Sequence, residues 1–353
     1  MRQRKAGMAD KPRILFVHKG LRSFIRKDLE ILKKFYSVIN LEYRSRKGLI
    51  HNLWEQFRLF LGSMLTVPNV NGVFIWFAGY HSFWPVFMAR LFRKKVIIAI
   101  GGYETTYIPE IRYGVFSNPI RSFMARYSFK HAHYLLPVDE GLMQNLRKFV
   151  PDLTTPYQVF DFGYDANFWK RTLPKQNVVL TVGSINSEVV YKRKGIDIFV
   201  EACRQLPQYE FHVVGVDPDM VHRFPEIPNL KIFPPADPIK LREYYSRAKV
   251  YAQLSMYEGL PNVVCEAMLC ECIPVVTPVN GMIRQAKTCG IVLTNRNTSA
   301  AVKAIKTAMA MQQSVGKQCR EQAIKFFPLD KREKGLIAIV ERVLKTNHWG
   351  EDE

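Results

Sequence analysis

Two glutamates at positions 258 and 266, with seven residues between them, stand in the segment SMYEGLPNVVCEAMLCECIPVV (255–276), directly after the strand-like run VYAQL. A helix with Pro261 in its first turn fits here, because proline lacks only an N–H that the first turn does not use. The amides of Asn262 and Val263, approached through Gly259 and Leu260, then remain as unsatisfied donors at a helix N-terminus. Such an end, placed after a strand, is suited to an anion such as a diphosphate. Glu266 lies about one turn into the helix, and Cβ bonds tilt toward the N-terminus, so its carboxylate leans back over the same cleft. A carboxylate there can accept hydrogen bonds from both hydroxyls of a ribose. Glu258, in the loop before the helix, would meet sugar hydroxyls.

A second constellation occupies VGSINSEVVYKRKGIDIFVEACRQL (182–206). Gly183 and Ser184 follow a strand, and Arg193 and Lys194 precede Gly195, which opens a helix. A cation fixed at Lys194 would stabilise the negative charge that grows on a leaving phosphate, with Arg193 beside it. In the first half, Gly20 follows the first strand, His81 sits in FAGYHSFW, and Gly102, Tyr103 and Glu104 lie in IAIGGYETTYIP. No nucleophile–base pair and no carboxylate cluster for a divalent metal stands out, so neither a metal nor a bound cofactor is expected.

Short apolar runs alternate with helix-length amphipathic segments: 14–17, 72–77, 95–100 and 134–138, then 178–183, 211–216, 250–254 and 273–277. That alternation predicts parallel sheets built from βαβ units, hence two doubly wound Rossmann-like α/β domains. The polar, proline-containing stretch 170–177 marks the join. The expected division is one domain over 1–170 and a second over 171–329. A helix over 330–353, N-capped near Asp330, would pack on either domain.

The E-G-x-P-x-x-x-x-E-A-M pattern beginning at Glu258 resembles the signature of the family 4 retaining glycosyltransferases, as do Gly183 and the Lys194–Gly195 pair. Weaker similarity in VFDFGYDANFWK (159–170) and FHVVGVD (211–217) extends the resemblance over nearly the whole chain. It implies a GT-B fold with two domains facing a cleft, the acceptor-binding domain over 1–170, with Gly20, His81, Gly102, Tyr103 and Glu104 as candidates for its side of the cleft, and the nucleotide-sugar-binding domain over 171–329. It also implies a sugar transferred from a nucleotide diphosphate without metal. Retention would follow from the leaving phosphate helping to deprotonate the acceptor hydroxyl. Departures are Ser184 where such enzymes carry Arg, the histidine missing from the 101–104 loop, and Arg284 in NGMIR.

Charge and composition narrow the partners. The chain carries a net charge of +20, with 28 Lys and Arg against 12 Asp and Glu through residue 175, and 23 against 19 after it. Such a field attracts polyanions. Three basic, aromatic segments in the first half (21–36, 83–95 and 121–131) suit an anionic leaflet, although each equally fits a core helix with a solvated basic face. No zinc, RNP or KH signature supports nucleic acid. A catalytically silent GT-B scaffold is the remaining alternative. The basic N-terminus (1–20) lacks the apolar stretch of a signal peptide, the six cysteines form no CxxC pair, and no run of eighteen apolar residues occurs. These features predict a cytoplasmic protein, held peripherally at the inner face of a membrane, that takes its acceptor from a glycan or lipid-linked precursor.

Overall fold

A strand buried on both faces must be apolar along its whole length, and in the computed structural model, which describes residues 11–44 and 48–345, the eight predicted runs all become such strands. In chain order the strands are β1 Arg13–His18, β2 Ser37–Glu42, β3 Gly72–Trp76, β4 Lys95–Ile100 and β5 Tyr134–Pro137. The second half adds β6 Gln176–Ile185, β7 Glu210–Val216, β8 Leu230–Phe233, β9 Ala248–Gln253, β10 Ile273–Val276 and β11 Ile291–Val292. All pairings are parallel, in the orders β2-β1-β3-β4-β5 and β11-β10-β9-β6-β7-β8. The three strands that the sequence reading did not find, β2, β8 and β11, are edge strands. Their residues are largely half-buried or exposed, so no continuous apolar run marks them.

The chain passes between the domains twice, and the two passages touch. Tyr164 donates its backbone N–H to Phe327 O at 2.9 Å, and Tyr164 and Pro328 form a bridge. Gly163 is needed there, because a Cβ would stand 2.8 Å from Leu329 Cα. The stretch before β6 is more than a polar linker. Lys175 turns inward and donates to the carbonyls of Tyr245, Ala248 and Cys270 at 2.9, 2.7 and 2.7 Å.

The last helix, Leu329–Lys345, returns to the first domain. Ile337, Ile339, Val340 and Val343 are buried beneath it, and Asp330 lies in its first turn rather than at its cap. Residues 346–353 of the expected helix and residues 1–10 of the basic N-terminus lie outside the described residues. Arg332 anchors the return. Its guanidinium meets both oxygens of buried Asp28 at 3.0 and 2.6 Å and also donates to the carbonyls of Phe160 and Asp161. Trp76 Nε1 bonds the same carboxylate at 3.1 Å.

Asp28 belongs to the helix Ser23–Phe35, within the basic segment 21–36 considered for a membrane. The structure assigns that helix to the core: Ile25, Leu29 and Leu32 are buried against the first sheet, and Lys34 pairs with Glu333 at 2.8 Å. Its apolar face is used, so it has none to offer a bilayer.

Removing one partner of a buried ion pair leaves an uncompensated charge, which costs roughly 3–5 kcal/mol. Asp28→Ala is therefore expected to lower stability toward urea by about that amount. A change below about 1 kcal/mol in chemical denaturation would show that Arg332 does not hold the helix.

Candidate active site

In an open parallel sheet, ligands gather at the carboxyl ends of strands where the winding reverses. The reversals fall between β1 and β3 in the first sheet and between β6 and β9 in the second, and these two edges face one another. The facing loops touch by their backbones: a Cβ on Gly259 would lie 2.2 Å from Gly101 O, and one on Gly102 would lie 3.2 Å from Gly259 N. Tyr257 Oη and Thr105 Oγ1 bond across the gap at 2.8 Å.

Gly183 and Ser184 belong to β6 itself, which runs on to Ile185, and not to a loop after it. The next segment is a short helix, Glu188–Arg193, capped by Ser187 and closed by Lys194 as its last half-turn. Gly195 then adopts φ +70°, where a Cβ would lie 2.1 Å from Leu254 O, and starts the helix Ile196–Gln205. Only glycine fits such a position. This turn folds Arg193 and Lys194 inward, so the pair is not a solvated basic loop.

Both cations end on one oxygen of Glu258: Lys194 Nζ at 2.7 Å and Arg193 Nη1 at 2.9 Å from Oε1, with Ser255 Oγ donating to it at 3.1 Å. Arg193 Nη1 also donates to Tyr257 O at 3.0 Å, and Asn280 Nδ2 holds Glu258 O at 2.6 Å. Burial would by itself raise the Glu258 pKa, but Lys194 and Arg193 outweigh it and bring the carboxyl down to about 2. Burial pulls the Lys194 pKa below the ordinary lysine range, opposed by Glu258 and assisted by Arg193. The side chain of Lys194 lies over Gly183, where a Cβ would stand 3.4 Å from its Cε.

Pro261 is the N-cap of the helix Asn262–Leu269 rather than part of its first turn, and no side chain caps that end. Leu260 is buried and Val263 half-buried. Asn262 Oδ1 accepts from Tyr164 Oη at 2.7 Å. Glu266 accepts from Tyr245 Oη at 3.2 Å and lines a cavity of about 300 Å³ with Ser23, Lys27, Tyr164 and Asn262. Burial raises its pKa to about 7, against the pull of Tyr245 and Lys27. The two glutamates thus occupy adjoining but different surroundings, one ion-paired beside β6 and the other facing a cavity formed with the first domain.

On the first-domain side, Gly20 turns the chain after β1 at φ +81°. Two expectations are corrected. His81 does not present its ring to the cleft: it is buried, its Nε2 lies 2.8 Å from Trp76 O, and its ring stacks on Tyr43. Burial lowers its pKa to about 4. Glu104 is also buried, accepting the amides of Gly101 and Gly102 at 2.6 and 3.2 Å, so it shapes the loop from beneath; burial raises its pKa to about 7. Tyr103 accepts a hydrogen bond from Arg121 and packs its ring against Tyr113, which in turn lies beneath Arg193.

Sequence reasoning missed Arg121, Lys19 and Arg22 as cleft residues. Lys19 lies over the Tyr43 ring and Arg121 over the rings of Tyr80 and Tyr103, and burial lowers the Lys19 pKa, with the charges of Arg121 and Arg22 lowering it further. Arg121 stood in a segment considered for a membrane, and no local pattern distinguishes the two uses.

A family model described as "Glycosyl transferases group 1" matches residues 176–311. No curated protein matches the chain by sequence. Among solved structures, sucrose-phosphate synthase from Thermosynechococcus elongatus superposes with a TM-score of 0.78 at 15% identity, covering 94% of this chain and 99% of that one. Anabaena Alr3699/HepE, solved with UDP and glucose, gives 0.72 at 13% identity over 94% and 100%. A trehalose-6-phosphate synthase, studied with bisubstrate glycomimetics of glycosyl transfer with retention, gives 0.71 at 12% over 94% and 99%.

The pKa of Glu266 has a measurable consequence. Below about pH 4.5 the carboxyl is protonated in folded and unfolded chains alike; from there to about pH 7 only the unfolded chain has released the proton. Stability attributable to this group therefore falls as pH rises through that window and stays reduced above it. Glu266→Gln is neutral at every pH, so its Tm should fall less steeply than the parent's across the window, whereas parallel curves would contradict the shift.

The chain has the GT-B fold of two facing Rossmann-like domains, and its second domain carries the match to the group 1 glycosyl transferases.

Proposed function

We propose that this chain is a retaining glycosyltransferase that moves a sugar from a nucleotide-diphosphate donor to a glycan or lipid-linked acceptor at the inner face of a membrane. The observation that carries the reading is the convergence of Lys194, Arg193 and Glu258 at the β6–β9 reversal, opposite the Gly101–Gly102 loop. The similar structures, one solved with UDP and glucose and one studied for glycosyl transfer with retention, support the donor class and the stereochemistry.

In this reading the diphosphate lies over Gly183 and against the amides of Asn262 and Val263, while Glu266 takes the ribose hydroxyls beside the cavity. The contacts to Lys194, Arg193 and Ser255 all use Oε1 of Glu258, which leaves Oε2 to a sugar hydroxyl. The bond from the anomeric carbon to the phosphate oxygen breaks with its electron pair going to that oxygen, and Lys194 meets the new charge. The same phosphate oxygen takes the proton of the acceptor hydroxyl as that oxygen bonds the anomeric carbon from the same face. No protein nucleophile enters the balance. The cations Lys19, Arg22 and Arg121 suit an acceptor that itself bears a phosphate.

Only interactions stronger in the transition state raise kcat. Lys194→Ala is accordingly expected to lower kcat on the order of 10²-fold or more, with a smaller rise in KM, as removal of one oxyanion donor does. Glu266→Ala should instead weaken donor and nucleoside diphosphate alike. Turnover like the parent's in both variants would remove these residues from the site.

Turnover is also expected to persist in EDTA. Loss that magnesium or manganese restores would count against metal-independent transfer.

A further inference from the structure

The helix Leu49–Thr66 is turned the wrong way for a soluble surface. Its exposed positions include Ile50, Leu53, Trp54, Phe57, Leu61, Met64 and Leu65, spaced by threes and fours along one face. The face toward the protein holds Glu55, Leu59 and Ser63, so two of the three buried residues among its described side chains are polar. Trp54 is 62% exposed and Leu65 62%. The neighbouring helices Phe83–Leu91 and Pro119–His131 continue the ridge with exposed Phe87, Leu91, Ile120 and Phe123, linked by ring contacts from Phe60 to Trp84 and from Phe83 to Phe123. An apolar ridge of this extent marks an interaction surface.

We propose that this ridge inserts into the interfacial layer of an anionic bilayer and so places the first-domain edge of the cleft at the membrane. The charge around the ridge selects this occupant. The two helices that continue the ridge carry exposed Arg90 and Arg126, and exposed Arg93 and half-buried Lys94 follow the first of them, whereas Glu55 is the only acidic residue between 49 and 94, buried and paired with Arg58 at 2.7 Å. Anionic headgroups complement such a rim. A second copy packed by two-fold symmetry would set the same basic rim against itself. The ridge also begins at the cleft: Asn52 accepts from Tyr43 Oη at 3.4 Å, Gln56 donates to Tyr80 O at 3.3 Å, and Tyr43 and Tyr80 lie beside Lys19 and Arg121. An acceptor anchored in lipid would then reach the sugar without leaving its leaflet. That last step rests on the function proposed above, whereas insertion does not.

The test uses the full chain and vesicles of phosphatidylcholine with or without phosphatidylglycerol, in the absence of any donor. Co-sedimentation with the anionic vesicles should weaken in salt, and brominated lipid should quench a part of the tryptophan emission that is absent in Trp54→Phe. Trp54→Ser with Phe57→Ser should reduce the partition coefficient by about 10-fold or more, given two largely apolar side chains withdrawn from the lipid. Arg93→Glu with Lys94→Glu should remove the preference for anionic lipid. Emission that bromine does not quench, equal partition of parent and serine variant, or concentration-dependent dimerisation lost in the serine variant without vesicle binding would each overturn the proposal. Nucleoside diphosphate affinity of the serine variant reports separately on the donor site.

Discussion

The cleft depends on backbone meeting backbone between the two domains. Gly259 and Gly101 approach so closely that a single methyl group at Gly259 would fall 2.2 Å from a carbonyl oxygen. Nothing wider fits, so the β9 loop that carries Glu258 is held directly against the loop after β4. The approach is fixed from the far side by the double crossing at Gly163 and Pro328 and by Arg332 on Asp28. Because the C-terminal helix ends up on the first domain, the chain clasps the cleft between two fixed points, and relative motion of the domains must pass through that crossing.

Within this frame the electrostatics of the site divide by environment. Glu258 is half-buried, and two cations keep it ionised and are themselves kept in place by it. Glu266, with a tyrosine hydroxyl as partner and Lys27 at a distance, is pushed the other way. Two glutamates of one motif are therefore shifted in opposite directions, Glu258 down by its two cations and Glu266 up by burial. Glu104 and His81, both buried, act on loop shape through the main chain.

What was legible in the sequence follows from what is local. β1, β3, β4, β5 and their counterparts in the second sheet announce themselves because both faces are covered; β2 does not, since only Leu41 of its residues is buried. Lys194 and Glu258 could be picked out because each lies in a short motif set by a glycine, Gly195 or Gly259. Arg332 and Asp28, 304 positions apart, share no pattern. Neither does the orientation of Leu49–Thr66: periodicity shows that a helix has an apolar face but not which way it points, and here it points outward. The basic helix over 23–35 erred in the opposite sense, since its apolar face packs on the sheet.

The central claim is that the β6–β9 reversal binds a nucleotide-diphosphate sugar, and thermal unfolding with a panel of nucleoside diphosphates and their sugars tests it most directly. A ligand at 100 times its Kd adds about 2.7 kcal/mol to the folded state. The account predicts a saturable rise in Tm with at least one nucleoside diphosphate, retained in EDTA and reduced in the Glu266→Ala protein. A panel in which no nucleotide shifts the Tm of the parent would contradict it.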